Sequence, residues 1–352
     1  MPSQLSLDRA AIAEKLAAAR NPIAQSMSDQ FFLDHPDWLQ RYGQRGRQFC
    51  TDDARFHIDF LCGALEAGSP ESFADYALWT TRMLGARGIA AHTLVETFAQ
   101  LASQLAAVLS PDAYSEALSF LTRAKNACEE AASPAEPEES PAALSLTKEV
   151  FLAAILNGQR QAALNIVEEA LRAGHSHVDI YIDVIAAALH RIGKLWELNR
   201  ISVAQEHMAT AVAQFVISSI YPKLIPDSPP RGQMVVTGVA GEMHQIGANL
   251  VADVMESKGW NVRFLGSNTP LPGILDAINE ISADVLCIST TLVSNLPSAA
   301  HLIRSVRNDR KERAPRIILG GSAYRHSGQF VAEVGPAAVL LDLRSALSLL
   351  CD

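Results

Sequence analysis

The sequence lacks the features that mark exported, disulfide-bonded or membrane-spanning proteins. Its five cysteines are an odd number and form no Cys-x-x-Cys pair, which favours reduced thiols over a disulfide framework. The first 30 residues contain no apolar core of a signal peptide. No uncharged apolar run reaches the ~18 residues that a membrane helix needs. These absences predict a cytoplasmic protein that does not contact a membrane.

Basic residues are also fewer than acidic residues. The 352 residues carry a formal net charge of −9, and the basic cluster Arg41, Arg45 and Arg47 is too short to reverse that balance. Because contact with nucleic-acid phosphates needs clustered Lys and Arg, the composition argues against direct DNA or RNA binding. With 49% hydrophobic residues, the chain can form roughly two or three domains with buried cores.

The order of apolar patterns predicts helical segments followed by an α/β segment. Residues 1–132 have helical periodicity with short breaks, one of them expected at Asn21-Pro22. Residues 133–143 are predicted to form a Pro/Glu-rich linker, and residues 144–225 a four-helix bundle. In residues 230–352 strand-length runs alternate with helices, which indicates a doubly wound parallel sheet. The predicted fold class is therefore α/β plus all-α.

The stretch from Gly238 to Gly247, GVAGEMHQIG, carries the first candidate site. It connects a strand-length apolar run to a helix, so it lies at the carboxyl end of a predicted parallel strand, where open α/β sheets bind ligands. Glu242 stands two residues before His244. It can hydrogen-bond one ring nitrogen and leave the other for a metal. Taken alone, however, a Glu-x-His pair more often belongs to an ordinary loop.

Two further elements at set distances strengthen the interpretation as a site. Between Gly247 and Ser289 there are 41 residues. Between Thr291 and the pair Gly320-Gly321 there are 28. Together with the loop, these spacings resemble the cobalamin-binding signature of B12-dependent proteins, which is Asp-x-His-x-x-Gly, then Ser-x-Leu, then Gly-Gly. Two positions depart from it, since Glu242 replaces the Asp and Thr291 replaces the Leu.

The resemblance implies a corrinoid bound at this edge of the sheet. His244 would be the lower ligand of cobalt, and Glu242 would fix its tautomer. Ser289 would hydrogen-bond the nucleotide tail of the cofactor, and the two adjacent glycines would leave room for that tail. The implied cofactor contacts are Glu242, His244, Gln245, Ile246, Gly247, Ser289, Thr291, Gly320 and Gly321.

A second motif precedes the α/β segment. Trp196, followed after nine residues by Glu206-His207, resembles the Trp-x9-Glu-His motif of light-sensing B12 proteins of the CarH/LitR type. The resemblance implies a bundle that caps the upper face of adenosylcobalamin. Trp196 would pack against the adenosyl group, Glu206 would hydrogen-bond it, and His207 would ligate cobalt once light has broken the cobalt–carbon bond. The ordinary alternative is a core aromatic and a histidine on a helix surface.

The N-terminal segment resembles another group of B12 photoreceptors. No helix-turn-helix with a basic wing is evident in residues 1–131, so the DNA-binding domain of the gene-regulating CarH/LitR members is not expected. RYGQRGRQFC and DARFHIDFLCGAL instead resemble the helical domain of the photocobilins, which also hold biliverdin. A bilin needs an apolar slot and cations for two propionates, although aromatic residues at helical spacing are usually core. The candidate bilin contacts are Trp38, Arg41, Tyr42, Arg45, Arg47, His57, Trp79 and His92.

Three functional hypotheses follow. The first is a cytoplasmic photoreceptor, not an enzyme, that binds adenosylcobalamin and biliverdin. It would be a homo-oligomer whose state changes with light and would act on a downstream partner that the sequence does not name. The second is the corrinoid methyl-carrier subunit of a methyltransferase system. The third is a haem or redox sensor on the same scaffold.

Overall fold

The computed structural model describes residues 4–130, 144–225, 230–310 and 313–351. In chain order they form an N-terminal helical region, a second helical bundle and a five-stranded parallel sheet flanked by helices. The predicted fold class is confirmed. The predicted linker at 133–143 lies outside the described residues.

The first two helices of the N-terminal region are longer than the sequence predicts. The break expected at Asn21-Pro22 is wrong, because the first helix runs through Pro22 and ends at Asp34. Ile23 and Met27 beyond the proline are buried, and this packing outweighs the roughly 3 kcal/mol that a proline costs inside a helix. The helices are α1 (Gln4–Asp34), α2 (Pro36–Ala67), α3 (Pro70–Gly85), α4 (Ala91–Val108) and α5 (Pro111–Glu130).

The interior of the N-terminal region is rich in aromatic side chains. Phe73, Phe98 and Phe120 are fully buried, together with Ile58 and Leu61 of α2. Full burial of one such side chain contributes about 1.5–3 kcal/mol. This core forms a cluster of its own, and Ala67 of α2 and Val293 connect it to the core of the sheet domain.

The second bundle contains four helical rods of unequal regularity. Its third rod changes from α-helix to π-helix and back, and the π-helical turn, Ile180–Ala186, places Tyr181 in the buried interior. The fourth rod begins at a reciprocal capping box between Ser202 and Gln205. The elements are α6 (Ser145–Leu156), α7 (Arg160–Arg172), α8 (His177–Asp179) continuing through the π-helical turn into α9 (Ala187–Glu197), and α10 (Val203–Ile220).

The sheet domain has five parallel strands in the order β2-β1-β3-β4-β5. Because the order reverses beside β1, the loops that follow β1 and β3 meet at a switch point, where such sheets bind ligands. The strands are β1 (Gln233–Gly238), β2 (Asn261–Phe264), β3 (Val285–Ser289), β4 (Arg316–Gly320) and β5 (Ala338–Leu340). The helices are α11 (Ile246–Ser257), α12 (Leu271–Ile281), α13 (Leu296–Arg310), α14 (Gly328–Val334) and α15 (Leu343–Cys351).

Polar contacts tie the second bundle to the sheet domain. The buried hydroxyl of Tyr181 lies 2.9 Å from Oδ2 of Asp253, and the Tyr221 hydroxyl donates to Glu256 at 2.6 Å. Arg344 of α15 bonds two aspartates of the bundle. The two domains are therefore held by contacts on α11 and α15. Within the described ranges, none of the helices combines the length and the apolar character needed to cross a bilayer.

Candidate functional site

The Glu242–His244 pair lies in the loop between β1 and α11. Oε1 of Glu242 accepts hydrogen bonds from the backbone N–H of His244 at 2.9 Å and from its ring Nδ1 at 2.7 Å. The carboxylate is fully buried, whereas 55% of the His244 side chain is exposed. Because an ionised carboxylate only accepts hydrogen bonds, Nδ1 carries the proton and Nε2 keeps its lone pair for a metal. The donor set therefore fits a lower cobalt ligand.

The second oxygen of Glu242 connects this pair to the turn that follows β3. Oε2 accepts from the backbone N–H of Thr291 at 2.7 Å, from that of Leu292 at 3.3 Å and from the amide of Asn295 at 3.1 Å. Burial by itself would raise the pKa of Glu242. The hydrogen bonds that it accepts, led by that from the His244 side chain, outweigh burial and lower the pKa to about 2. Glu242 is therefore ionised at neutral pH.

Asn295 is a site residue that the sequence analysis missed. Its side chain is buried, and its amide group donates to Glu242. Its Oδ1 lies so close to Gly241 that a Cβ there would approach it to 2.9 Å. The available signal was an amide side chain inside the apolar stretch TLVSNLPSAA, because a buried amide needs hydrogen-bonding partners. That signal does not say which partner the amide finds.

The backbone packing around Gly320 and Gly321 explains why one of these two positions needs a glycine. At Gly321 φ is +109°, and an added Cβ would lie 2.2 Å from the carbonyl oxygen of Thr290. An added Cβ at Gly320 would make an ordinary contact, 3.5 Å from Leu340. Gly321 is therefore required by the close approach of the turn after β4 to the end of β3. Room for a nucleotide tail beside this pair stays a prediction.

The other predicted contacts lie at the same carboxyl edge of the sheet. Ser289 ends β3 and is in register with Gly238 of β1. The start of α11 is open, since an added Cβ at Gly247 would meet nothing within 4 Å. Space for a corrinoid beside His244 stays a prediction. Three more of the predicted contacts are exposed or half-exposed at this edge of the sheet: Gln245, Ile246 and Thr291.

Glu206 and His207 form a second carboxylate–imidazole pair, in the first turn of α10. Nδ1 of His207 is hydrogen-bonded to Glu206, which also accepts from the Thr210 hydroxyl at 3.0 Å. The side chain of His207 is 75% exposed, so its Nε2 is accessible to a metal. The arrangement repeats that of the lower loop, with a carboxylate on Nδ1 and a free Nε2. Glu206, predicted to hydrogen-bond the adenosyl group, is occupied by these two neighbours.

Trp196, in the last turn of α9, packs against the N-terminal region. Its ring stacks on that of Trp79, with centroids 6.2 Å apart and planes inclined by 29°. The guanidinium of Arg87 lies 5.3 Å from the Trp196 ring centroid. The sequence analysis missed Arg87, and no local pattern pointed to it. The structure thus places Trp79, a candidate bilin contact, beside the candidate upper-face residue.

Some of the candidate bilin contacts lie together on α2. The rings of Trp38 and Tyr42 have centroids 5.3 Å apart, and the guanidinium of Arg41 lies 5.0 Å from the Tyr42 centroid. Arg45 lies over the exposed ring of Phe49, at 5.4 Å. Aromatic and cationic groups are therefore adjacent here, as a bilin contact surface requires.

Other candidate bilin contacts already have partners within the protein. Arg47 pairs with Asp29. His57 is buried in the core, with Nδ1 2.8 Å from the Tyr76 hydroxyl, and burial lowers its pKa to about 4. His92 is exposed at the start of α4. Binding of a propionate by Arg47, or of a pyrrole by His57, would have to displace these contacts, and biliverdin binding stays a prediction.

Two family models match the chain, and each is described as a B12 binding domain. The first covers residues 147–221, which form the second bundle, and the other covers residues 232–348, which form the sheet domain. The two matches thus include both the Trp196–His207 segment and the Glu242–His244 loop.

Curated relatives and a solved structure agree with these matches. Dimethylamine corrinoid protein 1 of Methanosarcina acetivorans is 23% identical over 172 residues, which are 48% of this chain and 80% of that protein. Dimethylamine corrinoid protein 1 of Methanosarcina mazei is 24% identical over 176 residues, 48% of this chain and 79% of that protein. The Methanosarcina barkeri monomethylamine corrinoid protein shares the fold, with a TM-score of 0.53 at 18% identity over 59% of this chain and 99% of that chain.

The fold, the family matches and the ligand geometry define a cobalamin-binding module, built from a helical cap and a Rossmann-like sheet domain. The prediction of a B12-binding protein is confirmed at this level. The finer prediction of a CarH/LitR photoreceptor is not confirmed, and the two curated relatives named above are amine corrinoid proteins. The binding of adenosylcobalamin rather than another corrinoid, the binding of biliverdin and the response to light stay predictions.

Proposed function

We propose that the chain is a light sensor that binds adenosylcobalamin between the second bundle and the sheet domain. The observation that carries the proposal is the pair of imidazoles, His244 and His207, each with Nδ1 on a glutamate and an accessible Nε2. Two such imidazoles suit a cofactor that keeps one axial ligand and exchanges the other. When bound, adenosylcobalamin would supply a cobalt–carbon bond that light can break.

In the proposed response to light, the protein holds one axial imidazole and presents a second one. Glu242 keeps His244 in the tautomer with a free Nε2 and fixes the ring through both its backbone and its side chain. Glu206 orients the exposed ring of His207 through the ring Nδ1 alone. Because His207 lies near the start of α10, a metal held by its Nε2 would fix the position of this end of α10 relative to the sheet domain. We propose that this constraint is the signal, and that it changes oligomeric state or partner binding.

The N-terminal region supports a signalling role, because it contacts both halves of the cobalamin-binding module. Arg82 of α3 donates to Glu197 of α9 at 2.7 Å. Gly63 of α2 packs directly on the backbone of Val293, in the turn that holds Glu242. A change in either half therefore has a direct contact through which it can reach the N-terminal region.

A His207→Ala variant tests the proposal. We expect it to bind adenosylcobalamin in the dark and to lose the adenosyl group in green light, but not to give the bis-imidazole cobalt(III) spectrum. The reason is that the variant lacks the second imidazole. Absorption spectra before and after illumination measure this, and His301→Ala, an exposed histidine on α13, is the matched control. An illuminated product identical to that of the wild type would remove His207 from the mechanism.

A corrinoid methyl carrier of a methyltransferase system is the second candidate, and the relatives favour it over light sensing. The named relatives are amine corrinoid proteins, and the matches cover about half of this chain. This candidate predicts preference for methylcobalamin over adenosylcobalamin, an oligomeric state that does not depend on light, and binding to a separate methyltransferase subunit. The same absorption spectra distinguish a haem sensor by its Soret band, and a bilin by a red band after biliverdin is added.

A further inference from the structure

The end of α9 is fastened to the N-terminal region at Glu197. The carboxylate is buried and accepts hydrogen bonds from Arg82 at 2.7 Å and from Lys194 at 3.0 Å. Arg82 comes from α3, so one of the two cations belongs to another domain. Removing one partner of a buried ion pair leaves an uncompensated charge. The contact therefore fixes the position of the last turn of α9.

Arg87, in the turn after α3, holds the residue next to Glu197 by its backbone and its ring. Its guanidinium donates to the carbonyl oxygens of Trp196 at 3.3 Å and Glu197 at 3.1 Å, the last carbonyls of α9. A cation at this end of a helix is favourable because the final carbonyls have no partner within the helix. The same guanidinium lies over the Trp196 ring, so one side chain orients both parts of the tryptophan.

The other ring against Trp196 belongs to a row of aromatic side chains. Trp79 stacks on Tyr76 with centroids 6.3 Å apart, and Tyr76 stacks on Phe60 at 3.8 Å. The Tyr76 hydroxyl is hydrogen-bonded to His57 in the buried core. The row therefore leads from the second bundle into the interior of the N-terminal region. A displacement of Trp196 would change contacts along it.

We propose that Arg87 and Trp79 are positioning residues for Trp196, so that the N-terminal region is the outer support of the upper-face corrinoid site. The inference rests on the proposed role of Trp196 as a contact of the adenosyl group, but not on whether light breaks the bond to that group. Coupled equilibria are reciprocal. A corrinoid that packs against Trp196 is therefore coupled to the state of the N-terminal region to the same extent.

The test compares two corrinoids with the full-length protein. We expect Arg87→Ala and Trp79→Leu to weaken the binding of adenosylcobalamin about tenfold. Hydroxocobalamin, which lacks the adenosyl group, should bind within about twofold of the wild-type affinity. The matched control is Arg123→Ala, an exposed arginine on α5 of the same domain, and it should leave both affinities unchanged. Absorption titration measures each affinity, and circular dichroism verifies folding.

A double-variant cycle separates positioning from general damage. Trp196→Leu should show the same selective loss. Adding Arg87→Ala to it should weaken the binding of adenosylcobalamin no further, because both changes remove the same contact.

Additive losses, or equal weakening of the binding of both corrinoids, would overturn the proposal. If Trp196→Leu itself has no effect, the upper-face role fails and this inference fails with it. An effect of Trp196→Leu without one from Arg87→Ala refutes this inference alone. Arg87→Gln, which keeps a polar side chain but is shorter and lacks the charge over the Trp196 ring, serves where Ala does not fold, and the same selective loss is expected from it.

Discussion

A Glu242→Gln variant should lose about 4 kcal/mol of unfolding free energy and bind corrinoids roughly 10–100-fold more weakly. All contacts of the Glu242 carboxylate come from donors: the backbone and ring of His244 on one oxygen, and two backbone amides and Asn295 on the other. A glutamine has one acceptor oxygen and a donating amide, so its amide opposes the backbone N–H of His244 in one orientation and those of Thr291 and Leu292 in the other, and the remaining hydrogen bonds lose the charge of the carboxylate. Each opposed donor costs about 1–3 kcal/mol. Urea unfolding and corrinoid titration measure the two effects.

Two further variants make this prediction specific. Glu280→Gln is the same substitution in the same domain, on an exposed ion pair with Arg263, and should cost less than about 1 kcal/mol. His244→Ala removes one of the five donors to Glu242 and leaves the other four, so it should destabilise the protein less than Glu242→Gln does, while the bound corrinoid loses its protein nitrogen. If Glu242→Gln unfolds at the same urea concentration as the wild type, the carboxylate does not hold the turn after β3.

A Gly63→Ala variant should be destabilised by about 2 kcal/mol, although alanine is the better helix former. Gly63 lies inside α2, and an added Cβ would come within 2.0 Å of the carbonyl oxygen of Val293 and 2.8 Å of the Cα of Ser294. These are backbone atoms, so no side-chain rotation relieves the clash. The whole turn Val293–Asn295 must move away from α2, and Asn295 moves with it. We therefore also expect weaker corrinoid binding in this variant.

The control is a helical glycine with free space around it. At Gly273, in α12, an added Cβ would meet nothing within 4 Å. Gly273→Ala should therefore stabilise the protein, by up to about 1 kcal/mol. Opposite signs for the two glycines in thermal unfolding would identify the contact with Val293 as the cause. Stabilisation by both substitutions would mean that α2 and the turn separate at little cost.

The residues that could be predicted from the sequence are those whose relation is local. Glu242 and His244 are two positions apart, and the loop that carries them follows a strand whose apolar run is unmistakable. The switch point followed from the alternation of strands and helices, and it explains why Ser289 lies near this loop. Short-range spacing and strand order were thus sufficient to predict that these residues lie at one edge of the sheet, and their role as cofactor contacts stays a prediction.

The contacts that escaped prediction depend on how the domains pack. Asn295 is 53 positions from Glu242, and Arg87 is 109 from Trp196. Gly63 is an unremarkable helical residue until Val293 is placed against it. The helix end predicted at Pro22 is wrong for the same reason, because tertiary packing stabilises a helix that the proline alone would end. Non-local packing has no period or motif by which a single sequence can reveal it.

The contrast in exposure between His244 and its anchor has a consequence for how the cofactor is acquired. The ring that would face the metal is accessible, and the carboxylate that orients it is sealed beneath the loop. Uptake therefore requires no rearrangement of the anchoring hydrogen bonds. If the cofactor binds between the second bundle and the sheet domain, as proposed, the rate of uptake depends on how readily these two domains separate, and the buried Tyr181–Asp253 hydrogen bond is one of the contacts that resist their separation.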